Sequence, residues 1–98
     1  MTTLNAVQRR YLRAQAHALH PVVMIGDAGL SDAVMREIDV SLKAHELIKI
    51  RVFGDDRDAR IAMLDRICTD LKAAPVQHIG KLLLVYRPAE KPKLALPK

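Results

Sequence analysis

Hydrophobic positions recur along this chain with two different periods, and the switches between them predict seven elements. Val7, Tyr11, Ala14 and Ala18 return every three or four residues, and Asn5 with Gln8 three positions later forms a capping-box pattern, so a helix is expected from Asn5 to about Leu19. At about 100° per residue, Arg9, Arg13, His17 and His20 fall on one stripe of that helix, with Arg10 at its edge, opposite the apolar set. Pro21 to Ile25 then reads as a strand, closed by Gly26-Asp27-Ala28-Gly29. Ser31 is a suitable N-cap and Leu30 can pack on Met35 as a hydrophobic staple, so a second helix is expected from here to about Ala44, burying Val34, Ile38 and Leu42.

From Leu47 to Phe53 the period falls to two, with Ile48, Ile50 and Val52 on one side and Lys49 and Arg51 on the other, as in a strand with one buried face and one wet, basic face. Gly54-Asp55-Asp56 ends it and offers an aspartate cap to a third helix with Ile61, Leu64, Ile67, Cys68 and Leu71 inward, stopped at Ala74-Pro75. Val76 to Ile79 and Leu82 to Arg87 read as two strands of an antiparallel hairpin turning at Gly80-Lys81. From Pro88 to Lys98, three prolines and three lysines predict an extended, poorly packed, flexible tail.

The order α-β-α-β-α-β-β contains two strand-helix-strand crossovers and defines an α/β fold, a compact two-layer sandwich with a mixed four-stranded sheet. Composition agrees with one domain over residues 1–87. Leu, Ile, Val and Phe supply 29 of 98 residues, well above the roughly one fifth below which chains stay disordered. The longest apolar run, Leu82 to Tyr86, is far short of the roughly twenty residues that cross a bilayer, so no membrane partner is expected. A single cysteine excludes an internal disulfide and fits a reducing, cytoplasmic setting.

Charge changes the picture through its distribution. Of the net +5, residues 1–25 carry three arginines and no acid, residues 26–78 carry eight basic and ten acidic groups, and residues 79–98 carry five basic and one acidic. Basic ends around a balanced middle favour a polyanionic partner, with nucleic acid the leading class and charge for solubility the competing explanation. An arginine-rich start also resembles a transit peptide, but there is no serine before Ser31 and the strand that this segment can cover follows at once.

Catalytic chemistry finds no support. Gly26-x-x-Gly29 joins a strand to a helix start, where glycines admit close approach of a phosphate and helix N–H groups favour an anion, but the same pair serves a tight turn. No third glycine completes a dinucleotide fingerprint, and no Gly-Lys-Ser/Thr forms a triphosphate loop. His17 and His20 lack a matching second pair, and Cys68 sits on an apolar stripe, so no metal is expected. Asp55, Asp56 and Asp58 suit a helix N-terminus. No nucleophile-base pair and no cofactor motif is present, so the protein is read as a non-enzyme.

Four segments in order carry a resemblance: Ala16-His17-Ala18-Leu19-His20-Pro21-Val22-Val23, Ile25-Gly26-Asp27-Ala28-Gly29-Leu30, His45-Glu46-Leu47-Ile48-Lys49-Ile50, and Ile79-Gly80-Lys81 through Val85-Tyr86-Arg87-Pro88. With their spacing they span about Leu4 to Pro88 and resemble the YhbY-like bacterial single CRM domains, the family named for chloroplast RNA splicing and ribosome maturation. The resemblance implies a fold like the C-terminal domain of translation initiation factor three. It implies RNA binding, with the glycine loop Gly26, Asp27, Ala28 and Gly29 in a part analogous to the loop of KH domains. It also implies association with large-ribosomal-subunit precursors. Family loops often hold basic or polar residues between the glycines. Asp27 and Ala28 depart from that, so the charge is expected from elsewhere.

Arg9, Arg10 and Arg13 on the first helix, Lys49 and Arg51 on the second strand, Lys81 and Arg87 on the hairpin, and the tail lysines are the candidates for that charge. With aromatics at 3% and no Trp, phosphate and sugar contacts are expected over base stacking. The reading is thus a monomeric, cytoplasmic RNA-binding protein of ribosome assembly. The alternative is an interaction module that docks on a ribosomal protein or assembly factor.

Overall fold

A computed structural model describes residues 3–97. Met1, Thr2 and Lys98 lie outside the described residues. The elements follow the expected order: α1 (Ala6–Ala16), β1 (Val23–Ile25), α2 (Asp32–His45), β2 (Leu47–Val52), α3 (Arg57–Leu71), β3 (Ala74–Ile79) and β4 (Leu82–Tyr86). The caps read from the sequence close their helices. Asn5 and Gln8 exchange both capping-box bonds, the Ser31 hydroxyl accepts from the Val34 N–H, and Asp56 accepts from the Ala59 N–H.

The sheet order is β1-β2-β4-β3, with β1 parallel to β2 and β4 antiparallel to both β2 and β3. β2 and β3 therefore run parallel, with β4 returning between them, as a hairpin following two crossovers requires. Side-chain alternation splits the strands between two cores. Ile48, Ile50, Leu83 and Val85 pack with Ile38 and Leu42 of α2 and Ile67 and Cys68 of α3 on one face. Leu47, Leu84, Tyr86 and Val76 pack with Leu12 and Ala16 of α1 on the other. α1 lies over the end of that second face nearest Tyr86, where it adds a third layer. Toward the other end of the face Met24 and Ile79 stay about half exposed, and there the sheet with α2 and α3 on its first face makes the expected two-layer sandwich.

Two local expectations need correction. The stripe Val7, Tyr11, Ala14 and Ala18 is not the buried face of α1, because Leu12 and Ala16 are fully buried while Val7 is 51% exposed. Burying leucine removes far more apolar area than burying alanine, so the leucine register wins. This rotation turns Arg13, half-buried, toward the sheet. Ala74-Pro75 does not stop α3. The helix ends at Leu71 with Lys72 left-handed at φ 54°, and Pro75 sits inside β3. β3 is an edge strand with a register shift between Pro75 and Gln77, where a missing N–H costs no ladder bond.

The largest difference is the tail. Pro88 to Pro97 has no regular secondary structure, yet Leu94 and Leu96 pack onto the α1 core. The expectation of a poorly packed tail missed the role of Glu46, 1% exposed and at φ 64° beyond the end of α2. Its carboxylate accepts the N–H groups of Ala89, Lys93 and Leu94 at 3.1, 2.6 and 3.2 Å. Charge-assisted bonds contribute about 1.5 to 3 kcal/mol each, which outweighs the roughly 1 to 3 kcal/mol cost of a positive φ. The Gln8 side-chain amide holds the far end by donating to the Pro97 carbonyl at 3.1 Å.

Candidate nucleic-acid interface

The glycine loop is a closed turn. The Gly29 N–H donates to the Gly26 carbonyl at 3.0 Å, and the Ser31 N–H donates to the Gly29 carbonyl at 3.0 Å. Two donors that a bound anion could have used are thus consumed within the turn. Gly29 has φ +69°, which explains its lack of a side chain. Gly26 differs, since its φ is not positive and a Cβ built there meets nothing within 4 Å. Neither backbone geometry nor packing demands a glycine at 26. Asp27 and Ala28 are exposed at the tip, and Asp32 opens α2, so the loop offers shape and main chain more than positive charge.

Positive charge lies on the second sheet face next to this loop. Arg13 and His17 of α1 and Lys49 of β2 line one groove of about 150 Å³, floored by Ile79, Leu82 and Leu84 and lined by no acidic residue. The Lys49 ammonium donates to the Leu19 carbonyl at 3.0 Å, which fixes both its position and the α1–β1 connection. Arg51 follows two residues on, on the same face, exposed, its guanidinium carbon 5.3 Å from the centroid of the Phe53 ring. Arg9 and Arg10 are exposed on α1, and helical spacing places Arg9 on the Arg13 flank with Arg10 at its outer edge.

The hairpin separates its two candidates. The Phe53 N–H donates to the Ile25 carbonyl at 2.9 Å and the Val52 N–H to the Lys81 carbonyl at 2.8 Å, so Gly26, Phe53 and Lys81 meet at one end of the sheet. The Lys81 ammonium pairs with Asp55 at 3.1 Å, where the Asp55 side chain is 97% exposed; such a pair gives way readily. Arg87 lies at the opposite end and is committed to the fold. Its guanidinium donates to the Asp39 carboxylate at 2.8 Å, to the Leu71 carbonyl at 2.9 Å and to the Asp39 carbonyl at 3.1 Å. The Arg87 bond to the carboxylate, joined by the Lys43 ammonium at 3.1 Å, holds the Asp39 carboxyl below its usual range. Arg60 of α3 is buried and donates to the Gly54 carbonyl at 3.2 Å.

The structure adds apolar members that charge counting passed over. Met24, Phe53 and Ile79 are 57, 47 and 53% exposed, and all lie at the end of the sheet carrying the glycine loop. Phe53 was legible as the end of a strand. That it stands on the wet face follows only from its two-residue spacing to Arg51. Among the described residues no group of three or more His, Cys, Asp or Glu is placed to hold a metal, and no helix is long and apolar enough to cross a membrane. Burial raises the Cys68 thiol to about 11, with Asp65 adding to the effect, which leaves it protonated and inert at neutral pH.

Fold and surface define a single α/β domain whose basic, partly apolar sheet face adjoins a strand-to-helix glycine turn. The chain belongs to the CRS1 / YhbY (CRM) domain family, whose model matches residues 4–87. It is 46% identical over 98 residues to the "RNA-binding protein" of Haemophilus influenzae, covering 100% of this chain and 99% of the relative. It is 38% identical over 89 residues to "Probable RNA-binding protein PA4753" of Pseudomonas aeruginosa, covering 91% and 86%. These relatives are named for RNA binding and not as enzymes. The solution structure of SAV1595 from Staphylococcus aureus superposes with a TM-score of 0.84 at 31% identity, covering 97% of this chain and all of that one.

Proposed function

We propose that this protein binds RNA in the cytoplasm as a monomer, through phosphate-backbone and shape recognition, and acts on precursors of the large ribosomal subunit. The observation that carries the reading is the acid-free groove in which Arg13 and Lys49 meet on one sheet face, with Arg51 two residues further along β2 on the same face, toward the glycine loop. Separate surface cations say little, but a concave cationic surface free of acids concentrates potential where a phosphate backbone can follow it. Gly26 supports the same reading, because a glycine that the fold does not need is suited to close approach by a backbone from outside. The names of the relatives agree with RNA as the partner. Sedimenting lysate through a gradient with and without ribonuclease tests it. The reading expects cosedimentation with large-subunit precursors that vanishes on ribonuclease treatment. Persistence on ribosomal proteins after the RNA is digested would contradict it and favour a protein-docking role.

A further inference from the structure

The open end of the sheet carries more than charge. Strand register places Met24 beside Arg51, Arg51 beside Leu82, and Leu82 beside Ile79, one residue from each strand in a single row on one face. Phe53 stands at the edge of this row with Arg51 against its ring. A row across four strands spans about 14 Å at the usual strand spacing. Met24, Phe53 and Ile79 are each about half exposed, so three large apolar side chains face solvent around one guanidinium. A surface that served only phosphates would have no use for them, and a duplex, which turns its bases inward, presents only backbone and groove edges to such a floor.

From this juxtaposition we infer that the Met24-Arg51-Leu82-Ile79 row with Phe53 is a platform for unpaired RNA bases, so that the protein recognises a single-stranded segment rather than a helix alone. The inference rests on RNA as the partner and adds to it the conformation of the bound strand. Charge complementarity selects this occupant over an apolar protein surface. Arg13 and Lys49 flank the groove leading to the row, and no acidic residue lines that groove. Arg51, with its guanidinium carbon 5.3 Å from the Phe53 ring centroid, and that ring form a cationic and aromatic pair on which a base can stack. One stacked base on such a pair is worth a factor of about 5 to 100 in affinity.

The test compares two probes, a fluorescently labelled twelve-nucleotide oligouridylate and a blunt twelve-base-pair RNA duplex, on the full chain. Phe53→Ala and Met24→Ser alter exposed side chains, and unchanged thermal melting confirms the fold. The inference expects Phe53→Ala to weaken the oligouridylate by about 5- to 100-fold and the duplex by less than about twofold. Phe53→Trp supplies a direct readout, since the chain has no other tryptophan: its emission is expected to be quenched by oligouridylate and not by the duplex. If the wild type binds both probes and Phe53→Ala weakens neither, the platform is rejected while RNA binding stands. If the wild type binds neither probe, RNA binding fails and the platform with it. Concentration-dependent dimerisation abolished by Phe53→Ala would assign the face to a second copy of the chain and overturn the inference.

Discussion

Glu46 and Lys93 are joined by a 2.6 Å hydrogen bond from the Lys93 N–H to the Glu46 carboxylate, across 47 positions of sequence. Glu46 also accepts from Ala89 and Leu94, and its own carbonyl accepts the Arg87 N–H at 2.9 Å. One buried carboxylate thus ties the end of α2, the end of β4 and the tail together. Glu46→Gln is expected to lower stability by about 1 to 3 kcal/mol, because the amide presents a donor to main-chain donors. Deleting Pro88 to Lys98 is expected to lower it further, since that removes Leu94 and Leu96 from the α1 core and strands the carboxylate. Urea denaturation checks both. A truncated chain as stable as the full one would show that the tail contributes nothing.

Asp39 and Arg87 set an expectation about acid. The folded-state Asp39 carboxyl titrates below the unfolded value of about 3.9. As pH falls, the unfolded chain takes up the proton first. The stability that the pair contributes is therefore present above about pH 4 and is lost as pH falls through the folded pKa. Denaturation from pH 7 to 2.5 should show a shallower acid limb for Asp39→Asn. Arg87→Ala should cost about 2 to 4 kcal/mol at pH 7, since it removes three bonds from a largely buried site. A stability change below about 0.5 kcal/mol would return Arg87 to the list of free surface charges.

How much of this was legible in the sequence depends on whether a feature is local. Caps, strand alternation and the hairpin turn are set within a few residues, and Asn5, Ser31 and Asp56 act as their neighbours predict. The buried side of α1 is not local. Val7-Tyr11-Ala14-Ala18 and Leu4-Leu12-Ala16 have almost the same period, and the choice between them depends on which sheet residues lie opposite. Glu46 was invisible for the same reason, since its partners are main-chain groups more than forty positions away. Arg87, Arg51 and Lys49 look alike in sequence. Only the fold shows that Arg87 holds Asp39 at the far end while the other two share the open face.

The glycine loop makes three separable predictions. Gly26→Ala should leave melting unchanged within about 0.5 kcal/mol, because no positive φ or neighbour opposes a methyl group, yet weaken RNA binding if the strand approaches there. Gly29→Asp should cost about 1 to 2 kcal/mol through its φ of +69° and weaken RNA binding as well. Asp27→Lys should tighten binding. Anisotropy titrations beside thermal melts check all three, and full RNA affinity in Gly26→Ala would reduce the loop to a turn.

Cys68 should resist thiol reagents in the folded state at pH 8, since burial holds its thiol at about 11. Fast, complete labelling by a disulfide-exchange reagent without denaturant would mean that the α3 core opens far more readily than its packing indicates.

The central claim, that RNA lies along the α1 flank and the open sheet face, is tested most directly by comparing two double charge reversals. Arg9→Glu with Arg13→Glu alters the flank, and Arg66→Glu with Lys72→Glu alters exposed positions on and just after α3, which packs on the opposite sheet face, with the same change in net charge. Affinity for a labelled fragment of large-subunit RNA is measured across a salt series. The wild type is expected to give a slope of log K against log salt of about −3 to −5, the value for four to six neutralised phosphates. The flank reversal is expected to flatten that slope and cost at least about tenfold in affinity, while the remote reversal leaves the slope unchanged and costs far less. Equal losses from the two pairs would contradict the account.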